Sequence, residues 1–170
     1  HRDWFFELAE RGERGLHGAD QLLWLHRLDG ELDNLRAALE WSFASNHPSA
    51  TGIQMVCNLA EFWDDRSYFS EGFYWFEKAE GESRTFMGTP IRAKVLYHYG
   101  RWMTFIRANW KAGRPLLEES LETFRTLGDA YLLDRAYTES WLGYFLYFRE
   151  KEYKMGTAYL EEAVAIFQQA

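Results

Sequence analysis

Few residue types in this chain could act as nucleophile, base or metal ligand. Cys57 is the only cysteine, and His98 is the histidine best placed to serve it as a general base. Such a pair needs a third group to orient the imidazole, and no spacing in the chain supplies one. A lone cysteine among so many apolar residues reads more simply as a small core side chain. The five histidines, His1, His17, His26, His47 and His98, show no metal-ligand spacing. Asp64 and Asp65 are sequence neighbours, so on a helix their carboxylates diverge by about 100° and form no acid–base pair. No GxxxxGK[ST] segment is present, so nucleotide binding is not assigned to these residues. The expectation is no catalytic site, no metal and no cofactor, and a function in binding.

Charge narrows the class of partner. The net charge is -7 over 170 residues, with the acidic side chains scattered rather than blocked. A phosphate backbone asks for a basic stripe, and none is visible, so direct nucleic-acid contact is not expected. One cysteine makes no internal disulfide, which fits a reducing cytoplasm. No apolar run approaches the roughly 18 residues of a membrane span, and no export signal is visible. The chain opens on His1 and stops within a helical pattern at Ala170, so it is expected to be a piece of a longer protein.

The elements that would carry these residues are all helical. Trp4, Phe5, Leu8 and Ala9 predict a short amphipathic helix from Arg2 to about Arg11, ending near Gly12 and Gly15. Asp20 is the expected N-cap of a helix running to about Ser45. Its seam, Leu25, Leu28, Leu32, Leu35 and Leu39, advances by 3, 4, 3 and 4, with Gly30 off the seam where a bend could form. About two heptads are too few for a coiled coil, so packing against the next helices is the better reading. Pro48 is expected in the first turn of a helix reaching Trp63, whose partner runs from about Phe69 to Ala79. Gly81 to Gly88 reads as the longest loop. Thr89-Pro90 then starts a helix that reaches about Ala108. The following helix ends at Leu127, with Gly128 at C′ and Asp129 as the next N-cap. Pro115 predicts a late start or a kink in it. A last pair covers about residues 130–149 and 152–169.

A repeat underlies these elements. Gly100 is followed by Trp110, Gly113, Leu117 and Ser120; Ala60 by Phe69, Gly72, Phe76 and Ala79; Gly143 by Tyr153, Gly156, Leu160 and Ala163. In each copy the last four positions step by 3, 4 and 3 and share one helix face. Equivalent glycines are 156 - 113 = 43 and 113 - 72 = 41 residues apart. That period falls in the range of HEAT and armadillo repeats. The positional chemistry differs: small residues let paired helices approach while leucine or an aromatic fills the gap. With Leu142-Gly143 on a first helix, it resembles the tetratricopeptide pattern with lengthened helices.

Two stretches make the resemblance more specific. Trp24-Leu25, Arg27-Leu28, Glu31 and Asp33-Asn34-Leu35-Arg36-Ala37-Ala38-Leu39-Glu40-Trp41 resemble the linker before the tetratricopeptide region of bacterial STAND-type signalling ATPases, including LuxR-type and AfsR-like transcriptional regulators. Leu117-Glu118-Glu119-Ser120-Leu121, Phe124-Arg125 and Leu127-Gly128-Asp129 are similar to the repeat consensus of that group, as are Phe62-Trp63, Arg66, Glu71-Gly72 and Trp75-Phe76-Glu77-Lys78-Ala79. Departures are Ser67, where the family favours glycine, Phe73, where it often has arginine, and Pro115. The resemblance implies an all-α, right-handed α-α superhelix of three helix pairs, about 48–80, 89–127 and 129–169, behind a helical linker over 1–47. It also implies an NTPase module and winged helix upstream, with further repeats and a DNA-binding domain elsewhere in the parent protein.

The same resemblance places the first helices of each pair along a concave groove. Glu61, Asp64 and Asp65, with Cys57, would come from the first pair; Lys94, Tyr97, Arg101 and Phe105, with Thr104, from the second; Tyr144, Tyr147 and Phe148, with Tyr137 and Ser140, from the third. The groove would grade from acidic through basic to aromatic. Its expected occupant is a protein or peptide partner, with the NTPase core of the same parent chain as one candidate. A small-molecule effector held by the aromatics, a free-standing scaffold, and aromatics that merely pack long helices remain as alternatives.

Overall fold

The computed structural model describes residues 2–44 and 49–169. Among them every regular element is a helix. The expected placement of Pro48 in a first helical turn lies outside the described residues. The chain divides into two compact units, His1–Thr85 and Phe86–Ala170.

The first unit holds α1 (Arg2–Leu16), α2 (Gln21–Gly30), α3 (Leu32–Phe43), α4 (Ala50–Asn58), α5 (Ala60–Arg66) and α6 (Phe69–Ser83). Contrary to expectation, α1 runs straight through Gly12 and Gly15. These glycines are packing positions rather than stops. A Cβ at Gly12 would lie 3.0 Å from Leu28, and one at Gly15 would overlap the indole of Trp24 at 2.0 Å. Arg11 and Arg27 place their guanidinium groups 5.6 and 5.1 Å from the Trp24 ring.

The single helix expected over 20–45 is two helices. Glu31 leaves helical geometry at φ -108°, ψ 8° between α2 and α3, directly after Gly30. Asp20 makes no side-chain cap to α2. The leucine seam crosses the joint: Leu25, Leu28, Leu35 and Leu39 are buried, and Leu32 is half-buried. It packs on the following helices, where a Cβ at Gly52 of α4 would sit 2.8 Å from Ser42 Cβ of α3. Two ion pairs fasten the same contact. Arg36 donates to both oxygens of Glu71 at 3.0 and 2.6 Å, joining α3 to α6, and Arg66 donates to Asp29, joining α5 to α2.

Ser49 caps α4 by accepting from the Gly52 amide at 3.1 Å. α4 and α5 form one apolar run interrupted at Leu59, and Ile53, Val56, Ala60, Phe62 and Trp63 are fully buried. α5 ends at Ser67, which takes a left-handed conformation at φ 57°, ψ 29°. Glycine takes this conformation without strain. α6 continues four residues past the expected Ala79 to Ser83, and a 3₁₀ turn over Arg84–Phe86 occupies much of the expected loop.

The second unit holds α7 (Pro90–Phe105), α8 (Trp110–Leu127), α9 (Leu132–Phe148) and α10 (Tyr153–Phe167). α7 starts at Pro90 as the sequence predicts, but the Thr89 hydroxyl donates back to the Phe86 carbonyl at 2.6 Å instead of capping the helix. α8 starts at Trp110 rather than late, since Asn109 Oδ1 accepts from the Ala112 amide at 3.2 Å. Pro115 is exposed, so water can satisfy the carbonyl that the missing amide leaves behind. Gly128 closes α8 at φ 77°, and a 3₁₀ turn over Asp129–Tyr131 takes the place of the expected Asp129 cap.

Within this unit the repeat is a geometric fact. Gly100 and Gly113 face each other across α7 and α8; a Cβ on Gly113 would lie 2.7 Å from the Gly100 carbonyl oxygen. Gly143 and Gly156 do the same across α9 and α10, at 2.9 Å in both directions. Arg92 donates to Glu119 at 2.7 Å, and 43 residues on, Arg135 donates to Glu162 at 2.9 Å. In α7/α8 the small position Ser120 adds a hydrogen bond to the Ala93 carbonyl at 2.8 Å. Early residues of each first helix meet late residues of its partner, so each pair is antiparallel. Leu117, Leu121 and Leu142 form the apolar contact between the pairs, and the Trp110 ring stacks on Phe145 at 5.0 Å.

Candidate functional site

α7 and α9 run parallel. Their contacts record this: Lys94 meets Asp134 at 3.5 Å, and further along Arg101 and Phe105 meet Trp141. Lys94, Tyr97, Arg101 and Phe105 step by 3, 4 and 4 and so share one face of α7. Trp141, Tyr144 and Phe148 step by 3 and 4 on α9.

The two faces build one strip of aromatic rings. Phe105 meets Trp141 at 5.8 Å, Trp141 meets Tyr144 at 6.3 Å, and Tyr144 meets Phe148 at 5.0 Å. Phe148 meets Tyr147 at 4.9 Å and Tyr147 meets Tyr153 of α10 at 5.0 Å. Most pairs are edge-to-face or tilted, the arrangements that ring quadrupoles favour. Phe105 is 64% exposed and Phe148 61% exposed, and both belong to one contiguous set of rings rather than standing singly. Phe105, Ser140, Trp141 and Tyr144 line a shallow, open, almost wholly apolar hollow of about 220 Å³. The Arg101 guanidinium lies 5.7 Å from the Trp141 ring at its border.

The structure thus brings together six of the residues expected in a groove, Arg101, Phe105, Ser140, Tyr144, Tyr147 and Phe148. Lys94 lies further back along α7 and is engaged by Asp134. Tyr97 is half-buried against the Leu117–Leu121–Leu142 contact, which makes it as much a packing residue as a surface one. Glu61, Asp64 and Asp65 lie on α5 of the first unit, where Asp65 accepts a hydrogen bond from Gln21 at 3.1 Å. Cys57 is buried in α4. Among the described residues no group of three or more histidines, cysteines, aspartates or glutamates could hold a metal ion. No helix among them is long and apolar enough to cross a membrane.

Two residues of this unit lie outside the expected groove set. Trp141 is the centre of the aromatic strip, and its 3 and 7 spacing to Tyr144 and Phe148 was the signal. Glu139 is fully buried, accepting from Arg125 and Arg135 at 2.9 Å each. Burial pushes its carboxyl above the usual range, against the pull of the two arginines. Burial acts on neighbouring Glu162 in the same sense, but hydrogen bonds with Glu139 and Arg135 and the charges of both arginines outweigh it and hold Glu162 low. Only the 43-residue match of Arg135 and Glu162 to Arg92 and Glu119 hinted at this cluster.

No family model matches the chain. Among curated proteins it matches "Putative HTH-type transcriptional regulator Mb0914c" of Mycobacterium bovis and "Putative HTH-type transcriptional regulator Rv0890c" of Mycobacterium tuberculosis, at 28% identity over 144 residues. The likeness is to a transcriptional regulator. The match covers 81% of this chain but only 16% of each relative's length. A regulator-like helical segment is consistent with the all-helical structure.

Proposed function

We propose that this chain is a non-catalytic interaction module of a bacterial signalling regulator, tetratricopeptide-like in its helix pairs, that binds a protein partner through the α7/α9 face. The observation that carries the reading is the strip from Phe105 through Trp141 to Phe148. Apolar rings at this exposure cost solubility unless something covers them, and contiguous exposed apolar surface marks interaction sites. Aromatic side chains with a bordering arginine are the residue types that dominate protein–protein hot spots.

The shape of the hollow favours a protein over a small effector. Small-molecule sites are enclosed and span roughly 300–1,000 Å³. A hollow of about 220 Å³ that stays open suits one bulky side chain of a partner. The regulator assignment rests on the similarity to the mycobacterial proteins and on the linker and repeat motifs, with docking on a nucleotide-binding core of the parent chain as the candidate switch. Such a switch requires the partner to favour one docked state over the other. The test is affinity capture with the wild-type chain and with Phe105→Ser/Phe148→Ser, whose helicity is first matched by circular dichroism. A partner retained by the wild type and lost by the variant supports the reading; equal retention refutes it.

A further inference from the structure

The aromatic strip is not electrically neutral along its length. At its α9–α10 end come Arg149, Lys151 and Lys154, all exposed and without an ion pair among the described residues. Lys111, the counterpart of Lys154 one repeat earlier (154 - 111 = 43), is likewise exposed and unpaired. Acidic side chains at this end include Glu150, Glu152 and Glu118, and Arg114 engages both Glu118, at 2.7 Å, and Glu152, at 3.1 Å. Arg101 stands at the other end of the strip, stacked on Trp141. In a chain whose net charge is -7, this makes a local basic border around an apolar surface.

The border also has a defined place. The turn from α9 to α10 repeats the turn from α7 to α8 bond for bond. The Arg107 amide donates to Trp102 O at 3.2 Å and the Asn109 amide to Met103 O at 2.8 Å; 43 residues later the Glu150 amide donates to Phe145 O at 3.2 Å and the Glu152 amide to Leu146 O at 2.9 Å. Lys151 and Ala108 occupy the same left-handed position, at φ 59° and 50°. The turn that carries Arg149 and Lys151 is thus ordered backbone, directly after Phe148, and Lys154 follows Tyr153 in the first turn of α10. Trp141 and Phe148 lie seven residues apart on α9, about 10 Å along its axis.

We infer that the partner of this face is an acidic segment carrying bulky apolar side chains, one of them seated in the Phe105–Trp141–Tyr144 hollow while its carboxylates meet Arg149, Lys151 and Lys154. This rests on the proposed function and names the chemistry of its partner. The Coulombic part acts over exposed side chains, so it steers and selects partners while the rings supply the contact area.

The test uses the 170-residue chain and a phage-displayed library of random 12-residue peptides, followed by fluorescence anisotropy with the enriched peptides. The expected result is enrichment of peptides combining Asp or Glu with Phe, Leu or Trp. Their affinity should fall about tenfold in Lys151→Glu/Lys154→Glu and on raising salt from 50 to 500 mM. It should fall at least as far in Phe105→Ser/Phe148→Ser. Enriched peptides that lack acidic residues, yet depend on Phe105 and Phe148, would overturn the acidic-partner inference and leave the interaction face standing. Peptides indifferent to all four substitutions, or no enrichment at all, would overturn both. Tighter binding of a fluorescein-labelled dT12 oligomer, which basic and aromatic surfaces also attract, would overturn the choice of a peptide.

Discussion

Replacing Gly113 with alanine tests whether backbone contact between α7 and α8 sets the geometry that presents the aromatic face. The new Cβ would lie 2.7 Å from the Gly100 carbonyl oxygen, where ordinary contact begins at 3.4 Å, so the helices must separate by about 3.4 - 2.7 = 0.7 Å. It would also meet Thr104 Cγ2 at 2.5 Å, and that methyl is held in place because the Thr104 hydroxyl donates to the Arg101 carbonyl at 2.8 Å. Overpacking of this kind costs roughly 1–3 kcal/mol. Alanine recovers about 1 kcal/mol of helix propensity over glycine. With rigid backbone on one side and a pinned methyl on the other, the upper part of the cost range applies, for a net loss of about 1–2 kcal/mol. The control is Gly81→Ala in α6, where no atom lies within 4 Å of the added Cβ; it should gain about 0.5–1 kcal/mol. Urea titration followed by helical ellipticity, with thermal scans alongside, should separate the two variants by roughly 5–10 °C in Tm. A Gly113→Ala protein as stable as Gly81→Ala would refute the close-approach argument.

Other outcomes follow from single sites. Ser67→Gly and Ala108→Gly each replace a side chain held at positive φ, 57° and 50°. Relief of about 1–2 kcal/mol of left-handed strain exceeds the chain entropy glycine adds, so each should stabilise by about 0.5–1 kcal/mol in denaturant titration. Glu139 gives a pH signature. Its folded carboxyl is raised above the 4.5 of an ordinary glutamate, so between that value and the raised one the folded state holds more protons than the unfolded state. Stability therefore falls as pH rises through this window, and Glu139→Gln should remove that fall. Glu162 acts with the opposite sign: its folded carboxyl is lowered, so its contribution is present above 4.5 and fades as pH falls through the lower folded value. Unfolding curves of Glu162→Gln, measured from pH 3 upward, should converge on the wild type at the acid end.

Helix content, the frame of small residues in its two later copies and the leucine seam were legible because each depends on local periodicity. The seam's packing was legible too, though not its break at Glu31, since one residue leaving helical φ/ψ does not disturb the apolar spacing on either side. Gly12 and Gly15 were misread as stops: sequence records that a glycine is present, not that Leu28 and Trp24 press against it. The caps at Asp20, Thr89 and Asp129 failed for a related reason, because their residue types permit capping but the hydroxyl of Thr89 found a nearer carbonyl. At the site, Phe105, Tyr144 and Phe148 come from the groove positions that the tetratricopeptide resemblance implies. Composition does not separate Trp141 from Trp102, 1% exposed, or Trp63, fully buried, and only its 3 and 7 spacing to Tyr144 and Phe148 sets it apart.

Photo-crosslinking at Phe148 would address the interaction face most directly. With p-benzoylphenylalanine at Phe148 or Phe105, and at exposed Tyr74 of α6 as the control site, irradiation in a lysate of cells that carry the natural partner should give a covalent adduct. One shared adduct is expected from the Phe148 and Phe105 proteins, absent at Tyr74 and suppressed by an excess of unmodified chain. Adducts of the same pattern at all three sites, or none from Phe148 and Phe105, would contradict it.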